Sequence, residues 1–214
     1  MRLAELSKRS GVPTATIKYY LREGLLPQGR KVTATQADYD EAHLRRLRLV
    51  RALIQIGRVP VADARRVLDY VDDDSLGQTI RLGAALWELP HELEPDEEDP
   101  RTAAARVEVD RLLELLGWTT ARDIGELSPN FRVLTAAIVR LADLGYPMDA
   151  DKLLPYAEQL GRLAAFDMDR LEHLETPVEK VEAAVADAVL FEPVLISLRR
   201  IAQEEESARR WGLE

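Results

Sequence analysis

Cysteine is absent from the 214 residues and histidine occurs only three times. The first absence removes disulfides, thiolate metal sites, iron–sulfur clusters and a cysteine nucleophile. The histidines are scattered. His91-Glu-Leu-Glu94 begins like a zinc-protease helix, but Pro95 stands where the second histidine would have to be, and His173 reads as polar helix surface. No metal site and no cofactor is expected. No Ser/His/Asp arrangement can be argued from spacing, so the chain is not expected to be an enzyme. Aromatic residues are also scarce, at 6%, while Leu, Ala and Arg abound, which favours helices over a β-sandwich. There is no apolar run of about 18 residues and no hydrophobic signal segment at the start. A soluble cytoplasmic protein without membrane contact is the expectation.

What is present is an uneven distribution of charge. The net charge of −9 averages over unlike parts: residues 1–70 carry 14 Lys/Arg against 7 Asp/Glu, and the remaining 144 carry 15 against 31. The balance is therefore +7 in front and −16 behind, which points to nucleic acid at one end only.

The basic end contains a helix–turn–helix pattern. Leu3 and Leu6 form the apolar stripe of a short first helix ended by Gly11, with Val12 and Pro13 as the turn. Thr14 is read as the N-cap of a second helix that sends Ile17 and Leu21 inward and stops at Gly24. Thr16, Lys18, Tyr19 and Arg22 then face elsewhere, and they suit phosphates and base edges. The stretch Pro27 to Gln36 reads as a two-stranded wing. Asp40 caps a helix over Glu41–Ile56, closed by Gly57, and Pro60 opens another to Val71.

Further on, Ser75 to Gln78 fits a capping box for a helix to Leu89 carrying Leu76, Ile80, Leu82, Leu86 and Trp87. Residues 90–100 are acidic and proline-bounded, the pattern of a poorly structured linker. Helices are then expected at 101–116, from Ser128-Pro129 to Gly145, and from Asp149 to Phe166 with an interruption at Pro155. A last one runs from Thr176 to Trp211, kinked near Pro193.

The run LAELSKRSGVPTATIKYYLREGLL, a wing beginning at Arg30, and the helix pair DEAHLRRLRLVRALIQIGRVPVADARRVL together resemble the DNA-binding domain of the mercury-resistance-regulator (MerR) family. The resemblance covers about a third of the chain. It implies a mainly α fold: an N-terminal winged helix–turn–helix with a small β-hairpin wing at 1–71, a dimerisation helix at 75–89, and an all-α effector domain at 101–214. It also implies a homodimer on an inverted-repeat promoter site in double-stranded DNA, acting with RNA polymerase. Family members often bend and untwist promoters with over-spaced −35 and −10 elements. Two positions depart from the family: Lys18 stands where arginine is usual, and Gln36-Ala37-Asp38-Tyr39 replaces the usual Tyr-Arg-x-Tyr of the wing.

The candidate DNA contacts are Thr14, Thr16, Lys18, Tyr19, Tyr20, Arg22, Arg30, Lys31, Tyr39, Arg45, Arg46 and Arg58. The Thr14 hydroxyl could serve only as a cap. One of Tyr19 and Tyr20 is expected inside and the other on a phosphate, with Tyr20 preferred for the phosphate, while Arg45, Arg46 and Arg58 line the backbone or are simply solvated. Candidate dimer contacts are Leu76, Ile80, Leu82, Leu86 and Trp87. Trp118, Tyr146, Tyr156 and Phe166 would line an effector pocket between helices, or else fill a helical core, as would Phe191 and Trp211. The alternative to a ligand-controlled regulator is an architectural DNA-binding protein whose C-terminal half serves assembly.

Overall fold

The computed structural model describes residues 1–33 and 36–212, and it divides into two compact units. The first joins Met1–Leu89 to Leu174–Glu214, and the second is Pro90–His173. This differs from the expected 101–214 domain: residues from 174 onward belong with the N-terminal unit, and the second unit is inserted into the first.

The first unit begins with α1 (Leu3–Ser10) and α2 (Thr14–Arg22). Gly11 ends α1 at φ 70° and Gly24 follows α2 at φ 76°, both in the left-handed region that an L side chain resists. Thr14 is not the cap of α2. Pro13 holds that position at φ −56°, and no side chain caps the helix. Proline's fixed φ sets the extended entry, so Thr14 becomes the first helical residue. Strands β1 (Arg30–Lys31) and β2 (Ala37–Asp38) pair antiparallel, Arg30 opposite Asp38 and Lys31 opposite Ala37. Residues 34 and 35 of the expected wing lie outside the described residues.

Asp40 opens α3 (Glu41–Arg51) as its N-cap: its carboxylate accepts from the His43 N–H at 3.2 Å, and the His43 ring nitrogen Nδ1 lies 2.7 Å from the same Oδ1. The expected single helix to Ile56 ends instead in a π-helical turn, Ala52–Ile56, with Gly57 N–H bonded to Ala52 O at 2.9 Å. Next come α4 (Val61–Asp72) and α5 (Gln78–Trp87). The Ser75–Gln78 box is not formed. Ser75 N and Oγ both bind Asp73 Oδ1, at 3.0 and 2.6 Å, so the local Asp–Ser turn takes the hydroxyl that a cap would need.

The chain returns as α10 (Pro177–Leu190), opened by a formed Thr176–Glu179 capping box, and α11 (Glu192–Trp211). Val181, Val185 and Val189 form one stripe of α10 and lie in the same core as Leu6, Ile17, Leu47, Leu53, Val67 and Leu68. Each fully buried leucine of that core contributes about 1.5–3 kcal/mol. The expected long C-terminal helix is therefore two helices broken at Phe191, with Pro193 in the first turn of the second, where its missing N–H costs nothing. α11 buries no residue, and Val194, Leu198 and Ile201 are exposed along it.

The inserted unit holds α6 (Pro100–Leu116), α7 (Thr119–Ile124), a short 3₁₀ turn, α8 (Pro129–Asp143) and α9 (Ala150–Glu172). Ala105, Val109 and Leu113 of α6 meet Ile138 and Val139 of α8. On the other side, Leu112 meets Ala150 and Ala157 of α9. The acidic stretch before α6 is part of this unit, and it is held: Glu94 pairs with Arg132 at 3.1 Å, Glu97 with Arg106 at 2.6 Å, and Asp99 caps α6. Arginines that the composition alone could not pair with particular carboxylates anchor it at Glu94, Glu97 and Asp99. Pro155 does not interrupt α9. It sits six residues in, so only one early hydrogen bond is missing, and the helix continues to Glu172.

Candidate nucleic-acid interface

α2 sorts its side chains by its own period. Ile17 and Tyr20 turn into the core, which leaves Thr14, Lys18 and Arg22 exposed in an i, i+4, i+8 row and Thr16 half-exposed. Tyr20 is 4% exposed, and burial pushes its hydroxyl pKa up. The tyrosine pair is therefore split the opposite way from the expectation. Tyr19 is the half-exposed ring, and the Arg22 guanidinium lies 5.2 Å from its centroid.

Beside this row stands the hairpin. The Arg30 side chain is 85% exposed and lies 3.8 Å from Asp38 Oδ2, while Arg2 reaches the same carboxylate at 3.6 Å. Lys31 is exposed next to it. A groove of about 440 Å³ runs between the start of α1, α2 and β2, lined by Arg2, Lys18, Gln36, Ala37 and Tyr39 among others. Tyr39 is buried rather than free for a phosphate. Its backbone N–H donates to Met1 O at 2.8 Å, its ring meets His43 edge-on at 5.1 Å, and burial raises its pKa. Gly29 was not singled out by sequence, yet the hairpin depends on it, because an added Cβ would lie 2.7 Å from Asp38 O. Arg2 joins the cationic face unanticipated, and no sequence pattern marks its approach to the wing.

The arginines of α3 are not equivalent. Arg46 is buried between two carboxylates: its Nη1 donates to Asp72 Oδ2 at 2.8 Å and its Nε to Glu182 Oε1 at 2.9 Å. Burial alone would lower its pKa, but the two carboxylates outweigh that and hold it above the ordinary arginine value. A cation so enclosed is not presented to DNA. Arg45 is partly exposed and paired with Glu179 at 3.1 Å. Arg58, in the turn between α3 and α4, is exposed and has φ 52°, the one positive-φ residue other than glycine among those described.

The remaining candidates scatter. On α5, Ile80 is 62% exposed and Trp87 is also exposed, whereas Leu82 and Leu86 pack half-buried against the core of the first unit; Leu76 precedes the helix and is half-buried. In the inserted unit, Tyr146 is 69% exposed, and Tyr156 and Phe166 are exposed ten residues apart on α9, about 15 Å along its axis. Trp118 packs over Gly161, 3.1 Å from where a Cβ would be. All four are exposed, and α9 spreads Tyr156 and Phe166 along its length. Phe191 is half-exposed and Trp211 is exposed.

Residues 1–71 match the model of the MerR helix–turn–helix family of regulatory proteins. The crystal structure of the proposed transcriptional regulator SCO5550 from Streptomyces coelicolor A3(2) is 63% identical, covers 100% of this chain and 99% of its own, and superposes with a TM-score of 0.85. The chain belongs to the MerR family. No curated protein matches it. As a MerR-family protein it is a DNA-binding transcription regulator, mainly helical with one small hairpin among its described residues. No described helix is long and apolar enough to cross a membrane, and no described cluster of His, Asp and Glu could hold a metal ion.

Proposed function

We propose that this MerR-family protein binds an inverted-repeat promoter site as a homodimer, each protomer placing α2 in a major groove. The observation that carries this reading is the exposed row Thr14–Lys18–Arg22 on a helix whose opposite face is locked into the core, with the Arg30–Lys31 hairpin beside it. Lys18 and Arg22 supply charge for phosphates or base acceptors. Arg30, Lys31 and Arg58 grip flanking backbone, as the family's wings do. Lys18 lacks the planar fork of arginine, so it serves as a point charge. Ile80, on the exposed side of α5, is the apolar residue of the candidate dimer helix that meets a partner in this reading. In this reading the inserted unit receives the signal, from a small molecule or a protein, and RNA polymerase acts at the same promoter.

The decisive experiment replaces Lys18 and Arg22 by alanine and measures binding to a site recovered by genome-wide mapping of bound DNA. Affinity should fall, and the salt slope should flatten by roughly 0.9 for each phosphate no longer neutralised. An unchanged affinity and slope would remove α2 from the groove.

A second reading is an architectural DNA-binding protein without a small-molecule effector. The exposure of Trp118, Tyr146, Tyr156 and Phe166 favours a protein-contacting role for the inserted unit over an enclosed pocket. A metabolite panel that changes neither operator affinity nor thermal stability would select that reading.

A further inference from the structure

We infer that α10, from the far end of the chain, is a positioning element for DNA binding, and that Val189 sets the turn carrying Arg58. The inference rests on the reading of Arg58 as a phosphate contact and adds what holds it in place.

The turn is unusual in three linked ways. It leaves a π-helical segment, Ala52–Ile56, whose bonds span more residues than an α-helix allows: Gly57 N–H to Ala52 O and Val59 N–H to Leu53 O, both at 2.9 Å. It then places Arg58 at φ 52°, a region that an arginine occupies only when its surroundings over-determine it. Gly57 itself has φ −73°, so its lack of a side chain answers to space rather than to conformation. That space is taken by Val189, whose Cγ1 would lie 2.4 Å from a Cβ at position 57. Valine is stiff at χ1, and Val189 is buried in the core with Val181 and Val185, so it cannot yield. On one side the turn is held by buried Val59, and on the other by Val189.

α10 is fixed at its other end as well. Glu179 pairs with Arg45, and Glu182 with Arg46, both on α3. One helix therefore touches both ends of the α3–π segment that leads into Arg58. The inserted unit enters the chain after α5 and leaves it just before α10.

The test is a double-mutant cycle on the full chain, with Val189→Ala and Arg58→Ala singly and together. The readouts are affinity and salt slope on a random-sequence duplex, since a phosphate contact needs no operator. Arg58→Ala should weaken binding and flatten the slope, and Val189→Ala should do the same several-fold while Arg58 is present and have no effect once Arg58 is gone. Gly57→Ala presses on the same contact from the turn side without emptying the core, and it should show the same dependence on Arg58. If Val189→Ala proves unfolded by circular dichroism, the Gly57→Ala cycle alone decides. Effects equal in both Arg58 backgrounds, or absent in both, overturn the positioning role while leaving Arg58 as a contact. An Arg58→Ala protein that binds like the parent overturns the contact reading and the inference with it.

Discussion

Arg46 and Glu182 meet at 2.9 Å across 136 residues of chain, both side chains nearly excluded from water. With Asp72 completing the group, α3, α4 and α10 are joined by a charged cluster. Glu182→Ala leaves Arg46 buried with one carboxylate instead of two. Removal of a charged hydrogen bond while Asp72 still compensates should cost about 2 kcal/mol. Urea unfolding checks this, and Arg46→Met with Glu182→Leu should recover much of the stability.

Gly29→Ala should disable the wing without unfolding the helices. The added Cβ would meet the Asp38 carbonyl at 2.7 Å, and backbone cannot rotate away as a side chain can. The hairpin must open, separating Arg30 from Asp38. Far-ultraviolet circular dichroism should be unchanged while DNA affinity falls.

Asp40 gives a pH-dependent prediction. The His43 side chain, through its Nδ1 at 2.7 Å, chiefly holds the Asp40 carboxyl below the ordinary carboxylate range, against a smaller opposing effect of desolvation. A folded-state pKa below the unfolded one stabilises above the unfolded value, near 3.9, and that contribution is lost as pH falls through the folded value. Asp40→Ala should cost about 1 kcal/mol at neutral pH because the cap is removed. The gap to the parent should narrow in acid unfolding below about pH 4.

Ile80→Glu addresses the proposed dimer. Ile80 is exposed in the protomer, so a charge there should leave the monomer's stability nearly untouched. Sedimentation should show dissociation, whereas Leu82→Glu should unfold the protomer because Leu82 already packs on its own core.

The helix–turn–helix was legible because its signals are local. Gly11 and Gly24 mark left-handed positions, and the Ile17–Leu21 spacing marks the inward face of a nine-residue helix. Asp40 and Thr176 were legible as caps for the same reason. Thr14 misled because a good capping residue followed a proline that already fixed the entry into the helix. Arg46, Tyr20 and Tyr39 look like surface side chains in sequence, since their partners lie on elements that only the fold brings near. The return of α10 was hidden most completely. Its valine stripe fits any buried helix face, and the tight approach to Gly57 leaves no trace in either segment alone.

The insertion at residues 90–173 makes the smallest self-contained reader discontinuous. Cutting the chain after residue 71, where the family pattern ends, strips Val181, Val185 and Val189 from the core that supports the helix–turn–helix. Excising 90–173 spares them. The inserted module is thus the part that can be removed without taking a side chain from that core, whereas neither flanking segment can be.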